Sequence, residues 1–452
     1  MMGQLPAAQN SLFYDFCLES HIPEDHLLRR INRFLDFDQI RHHLEPFYSN
    51  TGRPSVDPEL MIRMLLIGYC YGIRSERQLC DEVNFNLAYR WFCRLGLESD
   101  IPDHSTFSKN RHGRFRAADI LRCVFDTVVQ RCIEEGLVGS QGFAIDARFI
   151  RADVARQRYE HSPVNWTLDK TQSRAVKEYL ALLDQEDSLN RPQKSVSLTD
   201  PMCQWTGAKG PADFYYSNNY LIDVDHNVIM DVEASPSTNL LEVDTTRTMI
   251  ERVENNHGLR PKRLMGDTAY GTADNLGFLV NEKQIEPHVP VHDKSKRNDN
   301  TYSREDFDYI ETDDEYECPQ GNRLRSTGRP TADKTLLYRS RNRDCAICPD
   351  KSRCCPNTVN RKIPRSVNES ARDLARSITA GDTYINISSK QRKKVEMLFA
   401  HMKRHLNFSR LRLRGLKSAN DECLLVATAQ NLRRLAKLCA QPPPDHRIGA
   451  PA

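Results

Sequence analysis

The sequence predicts an α/β protein, preceded by an all-helical segment and interrupted by a cysteine-bearing insert. Three observations carry that expectation. Apolar residues recur at helical spacing up to about residue 140. After Gly142 strand-like runs alternate with helical ones, the order of an α/β core. Residues 295–385 lose both periods, are polar, and hold Cys318, Cys345, Cys348, Cys354 and Cys355.

The elements follow in order. "DHLLRRINRFLDFDQIRHHLEPFY" and "DPELMIRMLLIGYCYGI" both carry helical periodicity, and Asp57-Pro58 is a helix start, a cap followed by proline in the first turn. "SERQLCDEVNFNLAYRWFCRLGL" reads as two short helices around Asn84-Phe85-Asn86. That is either a helix–turn–helix with a DNA-reading helix or a plain pair packing Leu79, Val83, Leu87 and Trp91. A further helix crosses "AADILRCVFDTVVQRCIEEGLV" and ends near Gly139. "FAIDARFIRADV" is a strand with Asp146 inside it, and "KTQSRAVKEYLALLDQ" a charged helix. "YYSNNYLIDVDHNVIMDVEAS" is a hairpin around Asp225-His226-Asn227. "LEVDTTRTMIERVENNHG" is a helix closed by Gly258, "KRLMGDTAYGT" the end of a strand, and "QIEPHVPV" another short strand. Helix returns at about Ser388–Leu406 and at "ECLLVATAQNLRRLAKLCA"; the proline-rich end, 441–452, is expected to be disordered. The resulting units are 1–140, 141–294, 295–385, 386–440 and the tail.

Composition narrows the class. The chain has 452 residues, 39% hydrophobic and 28% charged, with a net charge of only +3, so any basic surface must be local. The longest apolar run, Met64–Ile73, is about half the roughly 18–20 residues of a membrane span. There is no export signal, so the 14 cysteines read as thiols or metal ligands and the expected compartment is the cytoplasm.

Three carboxylates stand out. Asp146 and Asp267 each follow strand-like apolar residues, where an unpaired buried charge is costly. Either alone reads most simply as a turn or helix cap. Glu396 sits in "QRKKVEMLFAHMKRH", an amphipathic helix whose other charges are all basic. At about 100° per residue, Arg392, Glu396 and Lys403 share one edge, beside an apolar stripe of Val395, Leu398, Phe399, Met402 and Leu406. Three carboxylates on one scaffold supply the hard oxygen donors that hold two Mg²⁺ or Mn²⁺ ions for phosphoryl displacement. The plain alternative for Arg392 and Glu396 is a surface pair at i, i+4.

At these residues the chain resembles the DDE transposases of bacterial insertion sequences. Their signature Y-x2-R-x3-E-x6-K is matched by Arg392, Glu396 and Lys403, with Ser389 at the tyrosine position. "DARFIRA" and "GDTAYGT" are similar to the two aspartate strands. "GRPSVDPELMIRMLLIGYCYGIRSERQLCDEV" and "IPDHSTFSKNRHGRF" are similar to the helical N-terminal region. The resemblance implies a ribonuclease-H-like mixed-sheet core with Asp146, Asp267 and Glu396 as catalytic metal ligands. It implies cleavage at the ends of the element and transfer of 3′-hydroxyls into target DNA. The implied partners are double-stranded DNA, both terminal inverted repeats and target, and a homodimer or larger assembly on paired ends, associated with the nucleoid. A plain metal-dependent nuclease and an inactive DNA-binding repressor are the alternatives.

Two further features bear on ligands. "CPQGN" is similar to the tight turn of a zinc knuckle and "CAIC" supplies a Cys-x2-Cys pair. Cys318, Cys345, Cys348 and Cys354 would then close a tetrahedral zinc site in a zinc-ribbon-like insert; free buried thiols are the alternative. From Lys390 to Lys417 Glu396 is the only acid, and Arg404, Arg410, Arg412 and Arg414 extend the cations of the Glu396 helix into a strip suited to a phosphate backbone. "KNRHGRFR" (Lys109–Arg116) is a shorter basic candidate.

Overall fold

A computed structural model describes residues 16–48, 51, 55–167, 170–183, 194–207, 211–237, 239–293 and 299–439. The end, 441–452, lies outside the described residues. Helices dominate to Glu134. The Pro58–Cys70 helix starts at the expected cap, where Asp57 accepts from the Glu59 amide at 2.7 Å. Almost all of it is buried, which accounts for its long apolar run without a membrane. No helix among the described residues is long and apolar enough to cross one.

The helical pair resolves towards packing. Helix Glu76–Phe85 meets helix Leu87–Phe92 at a single residue, Asn86, whose side chain caps the second. The second helix has six residues and buries Tyr89, Arg90 and Phe92. Arg90 donates to the carbonyls of Asn84, Gly96, Leu97 and Ser99. Its polar capacity is spent inside the fold, which accords with the packing reading of this helix. The following helix, Ile120–Glu134, stops earlier than Gly139, because Gly136 takes the left-handed conformation (φ +70°) that ends it.

The sheet begins at β1 (Gly142–Arg151). β2 (Tyr159–His161) and β3 (Ser195–Ser197) pair with each other. The main sheet continues with β4 (Gln204–Thr206), β5 (Asp213–Asp223), β6 (Ile229–Pro236), β7 (Arg263–Met265) and β8 (Glu286–His288). Its order is β4-β5-β1-β7-β8, with β6 also on β5. β1, β5 and β6 are antiparallel, whereas β7 runs parallel to β1 and β8 to β7. The hairpin turn falls where expected. Asp223 accepts from the amides of Asp225 and His226, and Asn227 has φ +54°. The helix Asn239–His257 is closed by Gly258 at φ +64°.

The C-terminal helix Leu416–Leu438 packs on β6 and on the Ile120–Glu134 and Pro58–Cys70 helices. Leading helices and sheet therefore share one continuous apolar core.

Residues expected to be irregular form a second sheet. β9 (Asp308–Ile310), β10 (Glu315–Glu317), β11 (Arg323–Arg325), β12 (Thr335–Arg339) and β13 (Lys362–Ser366) lie in the order β13-β12-β11-β10-β9. Its core is separate: Phe307, Tyr316, Leu324, Tyr338, Ile363 and three cysteines. Each strand puts only one or two apolar residues inward, too few to show a period of two. Register instead rests on opposed charges across β10 and β11, Glu315 with Arg325 and Glu317 with Arg323. The helix Glu369–Ala380, inside the expected insert, returns to the main core through Ala371 and Ala375.

Candidate active site

Asp146 and Asp267 are brought together by parallel pairing. Ala144 of β1 is in register with Met265 of β7. Asp146 and Asp267 each follow two residues on, and Asp267 keeps an extended backbone (φ −83°, ψ 177°). With side chains alternating along strands, both carboxylates leave the same face. Each is half-buried. Asp146 accepts from the Ala147 amide at 2.8 Å and Asp267 from the Ala269 amide at 2.9 Å.

The "GDTAYGT" glycines make room for this. A Cβ on Gly271 would stand 2.0 Å from the Pro290 carbonyl oxygen, and one on Gly266 3.0 Å from Ile145. Both segments beside Asp267 thus close on their neighbours only with glycine.

Glu396 arrives on the helix Ser389–His405, close to the expected bounds. Val395, Leu398, Phe399 and Met402 are its buried stripe, and Glu396 is exposed at the edge. Two contacts align the helix with β1. Gln391 accepts from Arg263, which is in register with Gly142 (3.3 Å), and the Phe399 carbonyl accepts from Arg148 (3.0 Å). These anchors bracket Glu396 on the helix and Asp146 on the strand. Tyr220, opposite Asp146 on β5, packs its ring 5.1 Å from that of Phe399. As the side chains stand, no group of three or more His, Cys, Asp or Glu among the described residues is arranged to hold a metal ion. Two of the three carboxylates therefore share one strand edge, and the third lies on the helix above it.

Two transposase family models match the chain. One, Transposase domain (DUF772), covers residues 16–113; the other, Transposase DDE domain, covers residues 317–436 and so includes Glu396. Over these two stretches the chain is similar to transposases, the second of the DDE type. A solved structure of the piggyBac transposase synaptic complex with hairpin DNA is 11% identical, with a TM-score of 0.33 over 91% of this chain and 74% of that one.

Sequence reasoning missed two residues that position the Glu396 helix. Arg148 lies two residues after Asp146, and the strand period alone could have flagged it. His288 ends β8, is buried, and shares a 2.8 Å hydrogen bond with Ser388, the residue before the Glu396 helix. Burial holds its imidazole below the usual range, against a smaller opposing pull from Glu286.

The basic strip is exposed at Lys403, Arg404, Arg410, Arg412 and Arg414, with Arg392 half-buried. It is not free of acids in space. Asp153, just after β1, pairs with Arg410 at 2.8 Å and Arg414 at 3.1 Å. Buried Glu422 accepts from the amides of Arg412 and Leu413, and buried Asp200 from that of Gly415. The strip is thus a loop clamped to the strand that carries Asp146. The shorter basic candidate is mostly structural: Arg111 pairs with Glu76 and Arg116 with Glu178.

In the insert, Cys345, Cys354 and Cys355 are buried in the second core, with Cys318 packed against it and Cys348 half-buried. The "CPQGN" turn is present. Gly321 has φ +77°, and the Asn322 amide donates to the Cys318 sulfur at 3.3 Å.

Proposed function

We propose that this chain binds the ends of an insertion element, hydrolyses the DNA there and joins the exposed 3′-hydroxyls to target DNA. The observation that carries this reading is the placement of Asp146 and Asp267 on adjacent parallel strands beneath the Glu396 helix. The order β6-β5-β1-β7-β8, antiparallel in its first three strands and parallel in the rest, supports a ribonuclease-H-like core.

Asp146, Asp267 and Glu396 fit Mg²⁺ or Mn²⁺ in donor type, two hard carboxylates at one strand edge and a third on the helix tethered to that strand. When bound, two such ions ease both deprotonation of the attacking oxygen and departure of the leaving oxygen. The chain's own part is positioning. Arg148 and His288 fix the helix over the strand edge. Arg392 and Lys403 flank Glu396 and hold the phosphates either side of the scissile one. Arg404, Arg410, Arg412 and Arg414 continue that track along the clamped loop. Water attacks the phosphorus and the 3′-oxygen leaves; in the second step a 3′-hydroxyl replaces water. Two copies would act on paired ends, at the nucleoid. Cys318, Cys345, Cys348 and Cys354 would hold one structural Zn²⁺, for which the knuckle turn is the supporting feature.

The test is Asp146→Asn, Asp267→Asn and Glu396→Gln, assayed for Mg²⁺-dependent cleavage and joining of a duplex carrying the element's end, beside a gel shift. Each variant should lose cleavage to background while keeping DNA binding. Cleavage that persists in all three would refute the reading; cleavage without joined product in wild type would favour a plain nuclease.

A further inference from the structure

Several inward-facing arginines of the protein are matched by carboxylates. Arg63 meets Glu59, Arg74 meets Glu422, and Arg122 and Arg252 meet Asp231. One groove instead gathers cations without such a match. It holds about 550 Å³ between the leading helices, the hairpin turn, the Glu396 helix and the C-terminal helix. Arg30, Lys394, Arg433, Arg434 and Lys437 line it, and among the described residues no carboxylate does.

Its arginines are held by neutral acceptors. Arg30 donates to the Asp25 carbonyl, Arg433 to that of Cys70 (3.0 Å) and Arg434 to that of His226 (2.6 Å). These bonds aim the guanidinium groups but leave their charge uncompensated. Behind the groove Asp223 is buried, with its oxygens on the amides of Gly139, Asp225 and His226. Burial holds the Arg434 guanidinium below its usual range, with only partial relief from Asp223. His401, also at the groove, bonds to Gln430, and burial holds its imidazole low, so it adds little charge at neutral pH. Five cations gathered without a counter-charge repel one another, which an incoming polyanion relieves.

The groove also faces away from the carboxylates. Counting about 100° per residue from Arg392, Glu396 and Lys403 fall within roughly 40°, whereas Lys394, Met397 and His401 fall at roughly 140–200°. The two cationic faces thus point in nearly opposite directions from the helix axis.

We propose that this groove binds the phosphate backbone of a second DNA segment, distinct from the one held at Asp146, Asp267 and Glu396. The proposal rests on the reading above for its use in joining two DNAs, but the binding stands on the groove alone. The experiment uses the full chain with Arg30→Glu and Lys437→Glu, singly and together, and Lys437→Arg as a charge-preserving control. A labelled 20-base-pair duplex of unrelated sequence is offered to protein already loaded with an end duplex. The double variant should capture the second duplex about tenfold less well, with the salt slope reduced by about two, the number of phosphate contacts removed. Cleavage of the end duplex should stay within about twofold, and Lys437→Arg should behave as wild type. Unchanged capture in the double variant overturns the proposal, as does loss of capture and cleavage in equal measure. Competition by pyrophosphate at the same concentration as duplex would assign the groove to a small anion instead. A wild type that never cleaves would sink the end-processing reading and leave the capture assay intact.

Discussion

Arg148 of β1 donates a 3.0 Å hydrogen bond to the main-chain carbonyl of Phe399, three residues beyond Glu396. It is the direct tether between the strand of one carboxylate and the helix of another. Arg148→Ala should cost about 1–2 kcal/mol of stability, within the range for a charged hydrogen bond that is not fully buried. Cleavage should fall about 10–100-fold, because a small misplacement of a catalytic group is costly. Arg148→Lys should recover part of it. Urea unfolding and single-turnover cleavage read the two effects separately. A stability loss with full cleavage would show that the tether does not place Glu396.

The buried pair Arg74–Glu422 joins the leading helices to the C-terminal helix, and Glu422 also holds the amides of the basic loop. Glu422→Gln or Arg74→Met leaves one charge buried alone and should cost about 3–5 kcal/mol. The double replacement Arg74→Met/Glu422→Gln should cost less than the two singles summed. Glu422→Gln should in addition speed tryptic cleavage after Arg412 or Arg414. Additive losses in the cycle would mean that the pair is not coupled.

One zinc per chain is expected in the insert. Protein purified without chelator should contain it stoichiometrically by elemental analysis. Cys318→Ser should lower the metal content and the melting of the second sheet while the main core unfolds as before, because its apolar core is separate. Metal-free protein with an unchanged insert would remove the site.

Asp200 is buried, accepts from the Tyr216 hydroxyl at 2.6 Å, and burial pushes its carboxyl up to about 6. Its native value thus lies above its unfolded one. The native state binds the proton more tightly, so this group favours folding at low pH and loses that advantage as pH rises from about 4 to 6. Above 6 the cost is constant. Asp200→Asn should flatten this part of the stability profile by about 1.4 kcal/mol per pH unit. Urea midpoints of wild type and variant at pH 4.5, 5.5 and 7 check it; parallel profiles would show that Asp200 titrates normally.

Much of the fold was legible because its signals are local. The Asp57-Pro58 cap, the glycine at 258, the Asp225–Asn227 turn and the stripe Val395–Phe399–Met402 are each set by a few neighbouring residues whose backbone preferences admit one answer. The same holds for the aspartates within and just beyond a strand and for the lone glutamate on its basic helix. The strands of the insert escaped because each is three to five residues long, and the charge pairs of β10 and β11 form only across the sheet.

By itself the sequence determined the order of the elements outside the insert and the likeness to DDE transposases, since periodicity and spacing along a chain need no partner. Only the tertiary structure decided what each charge meets. Asp153 answers Arg410 and Arg414, and Glu422 holds Arg74, across more than 250 residues of chain. Arg90 turned inward to carbonyls and made its helix a packing element. The five cations of the rear groove come from separate elements, and nothing in their local sequence shows that no acid folds back to meet them. Electrostatic pairing acts through space, and distance through space is what a linear pattern does not contain.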